Sequence, residues 1–281
     1  MRSVVGPYRR QLLLLTTVMR MTEGVPGTCL ASSSSDCEED FFYWKSEVDS
    51  TMDEARRLIK DRSSPVAIAA GSQLKGRGTR GRSWTDGDGN VKVTVAAPTA
   101  SFPLEPITLL PLRIGTIIHG VIAPYVDDAT LLKLKWPNDL LLNDRKLSGV
   151  LVEMEPPFIL IGISVNLVSA PEVPTEGPDT GRRAIALTDF VKDIKKLPDA
   201  KTLARQIADA IVQWIDQGPD TTVIRDWTRL ADWTTPLQLR DSKDNYDEDK
   251  LLPLRLLDDG RLQVKPLNGK PERALVAEYL L

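Results

Sequence analysis

Histidine and cysteine are nearly missing from this chain. Its 281 residues include one histidine, His119, and two cysteines, Cys29 and Cys37. A Ser-His-Asp triad, a Cys-His dyad and a histidine-centred metal site are close to excluded on that count. The two cysteines also lack the paired spacing of a zinc site or a disulfide framework, so a reducing compartment is expected. Positive charge is not in excess either. The formal net charge of -3 argues against an extended nucleic-acid surface, which needs clustered Lys and Arg to displace counterions. The apolar run Leu12 to Leu15 is far too short to cross a bilayer. Neither nucleic acid nor membrane is therefore expected as a partner, and the chemistry has to rest on Lys, Arg, Asp and Asn. With 42% hydrophobic and 27% charged residues, the composition suits one large domain plus a small one.

Residues 1–40 read unlike the rest. Arg2, Arg9, Arg10 and Arg20 precede the first acidic residue, Glu23, and the stretch ends in the polar run Ala31 to Ser35. This is the composition of an organellar leader, mitochondrial by expectation, with a merely disordered cytoplasmic extension as the alternative. The folded body starts at the aromatic strand Phe41 to Trp44. A helix follows, with Thr51 and Glu54 at capping-box spacing and Ala55, Leu58 and Ile59 on one buried face. Val66 to Ala70 reads as a short apolar strand, and the alternation Val91, Val93, Val95 as a half-buried one. Residues 107–126 carry apolar residues at helical spacing, with Pro111 near the first turn, and predict a core helix. Leu131 to Trp136, Leu140 to Leu142, Leu147 to Met154 and Phe158 to Leu167 read as successive strands, with Asn143-Asp144 as a hairpin turn. The Pro- and Gly-rich residues 169–182 suit a functional loop, and helices are expected around 187–196 and 200–217. Beyond Trp233, short strands alternate with Asp258-Asp259-Gly260 and Asn268-Gly269 turns, the pattern of a small barrel. The domain expectation is a leader at 1–40, a catalytic domain at 41–230 and a small domain at 231–281.

Two segments carry chemistry. In Gly76-Arg77-Gly78-Thr79-Arg80-Gly81-Arg82-Ser83-Trp84, the glycines allow close backbone approach and the arginines offer planar donor forks, which suits a phosphate. A nucleic-acid patch or a solvated basic turn would read alike. The second segment runs from Lys135-Trp136-Pro137-Asn138-Asp139 to Arg145-Lys146-Leu147-Ser148-Gly149-Val150-Leu151-Val152-Glu153. Pro137 ends a strand and leaves Asn138 and Asp139 at its tip. Lys146 begins the return strand, where it either supplies charge to a carboxylate attacking phosphorus or pairs with Asp144 in a surface salt bridge.

The paired segments resemble the signature of biotin protein ligases, and the resemblance runs through most of residues 41–281. Asp49-Ser50-Thr51, Gln73, Gly89-Asn90 and Ile161-Gly162-Ile163-Ser164-Val165-Asn166 fit in order, as does Asp259-Gly260-Arg261-Leu262 near the C-terminus. The resemblance implies an α+β fold: a mixed β-sheet with helices on one side, like the class II aminoacyl-tRNA synthetase catalytic domain, plus a small C-terminal SH3-like β-barrel. It implies biotin and ATP as substrates with Mg2+, and as partner a biotin carrier domain of a carboxylase; a homodimer is a further expectation. Ser50, Thr51 and Gln73 would hold the ureido ring, with Met52, Gly78 and Thr79 also on the biotin side. Arg77, also on the biotin side, would line the phosphate side with Gly78, and Lys146 would touch both the biotin carboxylate and the α-phosphate, making Arg77 and Lys146 the catalytic pair. Arg80, Arg82, Trp84, Asn138, Asp139 and Asn166 would bound the adenylate, while Gly149 and Gly162 leave room for the biotin tail. No metal site built of protein side chains alone is expected. The chain departs from the pattern at Met52, where members often carry Asn, at Ser164, where many carry Gly, and at Thr79, where many carry a further Arg. A biotin-sensing repressor is the alternative of another class, but only about 40 residues precede the catalytic domain, little room for a helix-turn-helix. Lipoate ligases share the implied fold; Lys-Trp-Pro-Asn-Asp favours biotin.

Overall fold

The computed structural model describes residues 41–79, 84, 87–104, 106–172, 183–240 and 246–277. The expected leader, Arg80, Arg82 and most of the 169–182 loop lie outside these residues. Residues Glu39–Leu281 form one compact unit.

Its frame is a seven-stranded mixed sheet in the order β1-β2-β3-β7-β6-β5-β4. The strands are β1 (Phe42–Val48), β2 (Val66–Gln73), β3 (Val91–Pro98), β4 (Leu132–Lys135), β5 (Asp139–Leu142), β6 (Arg145–Glu155) and β7 (Phe158–Val165). Only β1 and β2 run parallel, joined by a crossover that contains α1 (Thr51–Leu58); every other neighbouring pair is antiparallel. The helices α2 (Leu110–Ile122), α3 (Ala200–Ile215) and α4 (Val223–Leu230) go with one large apolar core that includes Val93, Val95, Ile161 and Ile163. This is the expected helical layer on one side. Helix α1 is an addition on the opposite face, where Met52, Ala55 and Ile59 pack on Ile68, Ala96 and Leu160. Helix α2 is apolar nearly all round because it is enclosed, and Pro111 stands in its first turn as expected.

Three local expectations are corrected. The capping box at Thr51 does not form: Ser50 is the N-cap, it makes no side-chain cap bond, and the Thr51 hydroxyl turns to Gln73 instead. Strand β3 is buried on both faces rather than one, because α1 and the loop before β3 cover the side that carries Lys92 and Thr94. The helix expected around 187–196 is only two 3-10 turns, Leu187–Asp189 and Ile194–Lys196. Asp189 and Asp193 there accept local backbone N–H bonds that compete with helix continuation.

The β5–β6 hairpin turns on Asn143 and Asp144, both left-handed at φ 48° and 59°, the type I′ geometry for which Asn and Asp are suited. A bulge between Leu140 and Leu141 then shifts its register. Leu147 and Val150, an odd number of residues apart, both enter the large core. The bulge therefore changes the parity of β6 and brings Lys146 to the same side as Gly149.

The second sheet is an antiparallel meander of β8 (Leu237–Arg240), β9 (Tyr246–Leu256), β10 (Leu262–Pro266) and β11 (Arg273–Leu275). It turns at Gly260 and Gly269, both at φ 84°, where a side chain would be strained. Leu251, Leu262 and Val264 join the large core, and Trp136 donates its indole N–H to the Gly260 carbonyl at 3.1 Å. The small module is thereby fastened to the Lys-Trp-Pro-Asn-Asp segment.

Candidate active site

The α1 side of the sheet gathers the residues singled out from sequence. At the far end of β6, the Lys146 ammonium lies 2.6 Å from Asp139 and 5.1 Å from the centre of the Trp84 ring. A Cβ on Gly149 would stand 3.3 Å from the Trp84 ring and 3.4 Å from the Lys146 Nζ, so glycine leaves the lysine its slot. The partner of Lys146 is Asp139, not Asp144. Asp139 also receives Lys135 at 3.4 Å. Burial pushes the Asp139 carboxyl up, but the charges of Lys146 and Lys135 outweigh it and bring the pKa down to about 2.

The backbone of Lys146 is held from the other side. Its N–H donates to the Arg183 carbonyl, its carbonyl accepts from Ile185, and the Asn166 amide donates to the same carbonyl at 3.3 Å. Asn166, expected beside the adenylate, thus braces the lysine. Asn138 is likewise committed to the hairpin, donating its amide N–H to the Val150 carbonyl at 2.6 Å.

Toward α1 a chain of polar groups is buried between helix and sheet. Gln73 Oε1 accepts from the Thr51 amide at 2.9 Å and from the Thr51 hydroxyl at 3.1 Å, and Thr94 donates to Thr51 at 2.9 Å. Ser50 is buried at the helix start, with the N-terminal turn of α1 behind it. Met52 lies over Gly162, where an added Cβ would meet its sulfur at 2.8 Å. The two residues form one floor: glycine makes room for methionine.

The glycine loop leaves β2 at Gln73. Gly76 is buried, and a Cβ there would strike the Trp84 carbonyl at 2.6 Å, which accounts for glycine at this point. Gly78 and Thr79 are half-buried beyond it. Arg77 does not stand open toward a phosphate. It forks onto Asp53 of α1 at 2.9 and 3.0 Å and lies 3.9 Å from Glu153. Its hydrogen bond is the chief reason the Asp53 carboxyl is held below its usual range. Both side chains are more than a third exposed, so an anionic ligand can compete for the guanidinium at small cost. Arg56 ties the same corner together through Asp53, Glu153 and Glu155.

Lys92, Asp53 and Thr94 take part here without having been singled out from sequence. Thr94 and Lys92 sat in a valine alternation that reads as a solvent face, and nothing local signals that α1 closes over it. Burial pulls the Lys92 ammonium down to about 8. Its folded pKa is below the unfolded value, so its charge opposes folding below about pH 8 and the penalty fades toward pH 10.5. Among the described residues no group of three or more His, Cys, Asp or Glu is placed to hold a metal ion.

A lysine seated between a carboxylate and an indole beside a glycine-arginine loop can neutralise charge developing on an anionic ligand. The family model for the biotin/lipoate A/B protein ligase family matches residues 44–167. A biotin–[acetyl-CoA-carboxylase] ligase of Mycobacterium tuberculosis is 30% identical over 159 residues, 55% of this chain and 57% of that protein. The chain thus spans about half the length of the curated relatives it matches. Among solved structures, a biotin protein ligase from Leishmania major in complex with biotinyl-5-AMP superposes with a TM-score of 0.64 at 27% identity, over 84% of this chain and 98% of that one. The Aquifex aeolicus biotin protein ligase in complex with biotin and ATP shares the fold, with a TM-score of 0.65 at 23% identity, over 84% of this chain and 95% of that one. Residues 44–167 thus match the biotin/lipoate A/B protein ligase family, and the chain resembles the biotin protein ligases in sequence and in fold.

Proposed function

We propose that the chain is a biotin protein ligase, which joins biotin and ATP into biotinyl-5′-AMP with release of pyrophosphate and then transfers biotin to one lysine of a biotin carrier domain. The observation that carries this reading is Lys146, seated between Asp139 and Trp84 and braced by Asn166, on the face that also holds Thr51 and Gln73. Biotin's ureido ring fits the polar chain at Ser50, Thr51 and Gln73, with its carboxylate directed along Gly162 and Gly149 toward Lys146. When the carboxylate oxygen bonds to the α-phosphorus, the bond to pyrophosphate breaks and negative charge passes from the carboxylate to the phosphoryl oxygens and the departing pyrophosphate; Lys146 contributes a compact charge that lets the two anions meet, without moving a proton. Arg77 exchanges Asp53 for the ligand's phosphate. Magnesium would arrive on the triphosphate, since it favours few carboxylates plus substrate oxygens, and no protein cage offers itself among the described residues. The mixed anhydride must then be kept from water until the carrier lysine attacks its carbonyl carbon.

Mass spectrometry of a biotin carrier domain after incubation with the protein, ATP, magnesium and biotin tests the proposal. A gain of one biotin is expected. No gain with biotin, or a gain only with lipoate, would overturn it.

Two variants are expected to change the ligand rather than the fold. Thr51→Val removes the hydroxyl between Gln73 and Thr94 and should weaken biotin about tenfold, the usual effect of losing one buried hydrogen bond, as calorimetric titration would read. Thr79→Arg restores the guanidinium common in relatives and should slow adenylate release, measured by chasing labelled adenylate. An unchanged rate would mean that Arg80 or Arg82 already serves. Residues 1–40 are proposed to act in targeting, most directly to a mitochondrion. A fluorescent protein fused to them should then localise there, and a diffuse cytosolic signal would remove the claim.

A further inference from the structure

Ser164 stands where many relatives carry glycine, and the reaction as proposed leaves its side chain without a role. It lies near the end of β7, where alternation sends Ile161, Ile163 and Val165 into the large core and turns Gly162, with Met52 over it, and Ser164 to the α1 side. The register fixes its neighbours. Ser164 is opposite Lys92 on β3 and opposite Gly149 on β6; Gly149 is opposite Asp139 on β5, and Asp139 is opposite Lys135 on β4. One row of the sheet thus reads Lys92, Ser164, Gly149, Asp139, Lys135. Directly opposed residues hold their Cβ atoms about 4.5 to 5.5 Å apart. A Cβ on Gly149 would lie 3.4 Å from the Lys146 ammonium, so the space that glycine leaves is flanked by that ammonium and by the Ser164 side chain.

The hydroxyl does nothing for the fold. Ser164 is half-buried, and its side chain makes no hydrogen bond among the described residues. Lys92, on one side, directs its ammonium away to the Gly71 and Gly87 carbonyls at 2.7 and 3.1 Å. On the other side Lys146 and Lys135 share the single carboxylate of Asp139. The space over Gly149 therefore has a free O–H donor on one flank and a cation in excess on the other, which together suit a group that is anionic and accepts through oxygen. We propose that Ser164 is a specificity-determining contact for the biotin carboxylate: its hydroxyl donates to one carboxylate oxygen while Lys146 holds the other, with Gly149 as the floor between them. The inference rests on the proposed ligase function. Lys146 supplies charge and accepts any anion; the hydroxyl adds a directed bond at a fixed place in the row, so that an acid whose chain ends over Gly149 binds better than one that stops short of it.

The test is calorimetric titration of the full chain, as wild type, Ser164→Ala and Ser164→Gly, with biotin and with an analogue in which a methyl group replaces the carboxyl group. Biotin is expected to bind roughly tenfold more weakly to both variants, the usual effect of losing one hydrogen bond to a charged acceptor at a half-buried site. The methyl analogue should bind all three proteins alike, and the melting temperature should not change. An Ala variant that binds biotin within twofold of the wild type overturns the proposal. Tighter binding of biotin to the Gly variant overturns it too, since the side chain would then only narrow the path. Equal weakening of biotin and the methyl analogue would mean a general change in the floor, and failure of both variants to fold would make Ser164 a structural residue; either result overturns the proposal. If the wild type binds no biotin at all, the ligase reading itself fails, a result distinct from these.

Discussion

Lys146→Ala is expected to slow pyrophosphate release about 100- to 1,000-fold, the loss that follows removal of one electrostatic stabiliser aimed at developing charge. The protein should remain folded. The backbone at Lys146 is fixed by Arg183, Ile185 and Asn166, none of which contacts its side chain in doing so, and Asp139 keeps Lys135 at 3.4 Å. Lys146→Arg should also be impaired. The slot is bounded by Trp84, by Asp139 at 2.6 Å and by Gly149, and a broad planar fork cannot replace a compact ammonium that must touch two groups at once. If the lysine served only as half of a surface pair, its loss would cost about 1 kcal/mol of stability or less and leave adenylation nearly intact. Pyrophosphate release and melting temperature measured on one Lys146→Ala preparation separate the two, and near-normal adenylation in a folded variant would defeat the catalytic role.

The pairing of Lys146 also shows where sequence reading stops. The hairpin was legible, because Asn143-Asp144 accepts left-handed backbone and the flanking runs are apolar. The choice between Asp144 and Asp139 as partner was not, because it depends on the bulge that changes the parity of β6. Similar reasons govern the rest. Long apolar runs such as β6 and β7 declared themselves, and so did helix α3, whose apolar spacing is regular and whose N-cap Asp199 accepts from Thr202. Helix α4 was missed, since its eight residues are too few for a period to emerge, and it is fixed by the tertiary bonds of Asp220 and Asp226 to Arg113. The site residues were found because glycines and charged residues cluster in two segments. The groups that hold them, Asp53 against Arg77 and Thr94 against Thr51, come from elsewhere in the chain and carry no local mark.

Asp139 is where stability and chemistry meet, and its replacement should have the larger effect on the fold. The carboxylate is 12% exposed and takes both Lys146 and Lys135. In Asp139→Ala the two ammonium groups lose the carboxylate they share, and breaking a buried pair in this way costs about 3 to 5 kcal/mol. For a domain of this size that is a fall in melting temperature of roughly 10 °C. Adenylation should fall as well, by about 100-fold, because Lys146 loses the acceptor that points it at the ligand. The pH dependence gives a sharper signature. The carboxyl titrates near 2 in the folded protein against 3.8 ordinarily, so its contribution is fully present above about pH 4 and is lost as the pH falls through 2. The difference corresponds to something on the order of 2 kcal/mol. Urea unfolding at pH 7 and at pH 2.5 should therefore show the wild type losing more stability than Asp139→Asn between the two conditions, since the amide has no proton to gain. An Asn variant as stable as the wild type at pH 7, with the same loss on acidification, would mean that the two lysines contribute nothing to holding this carboxylate.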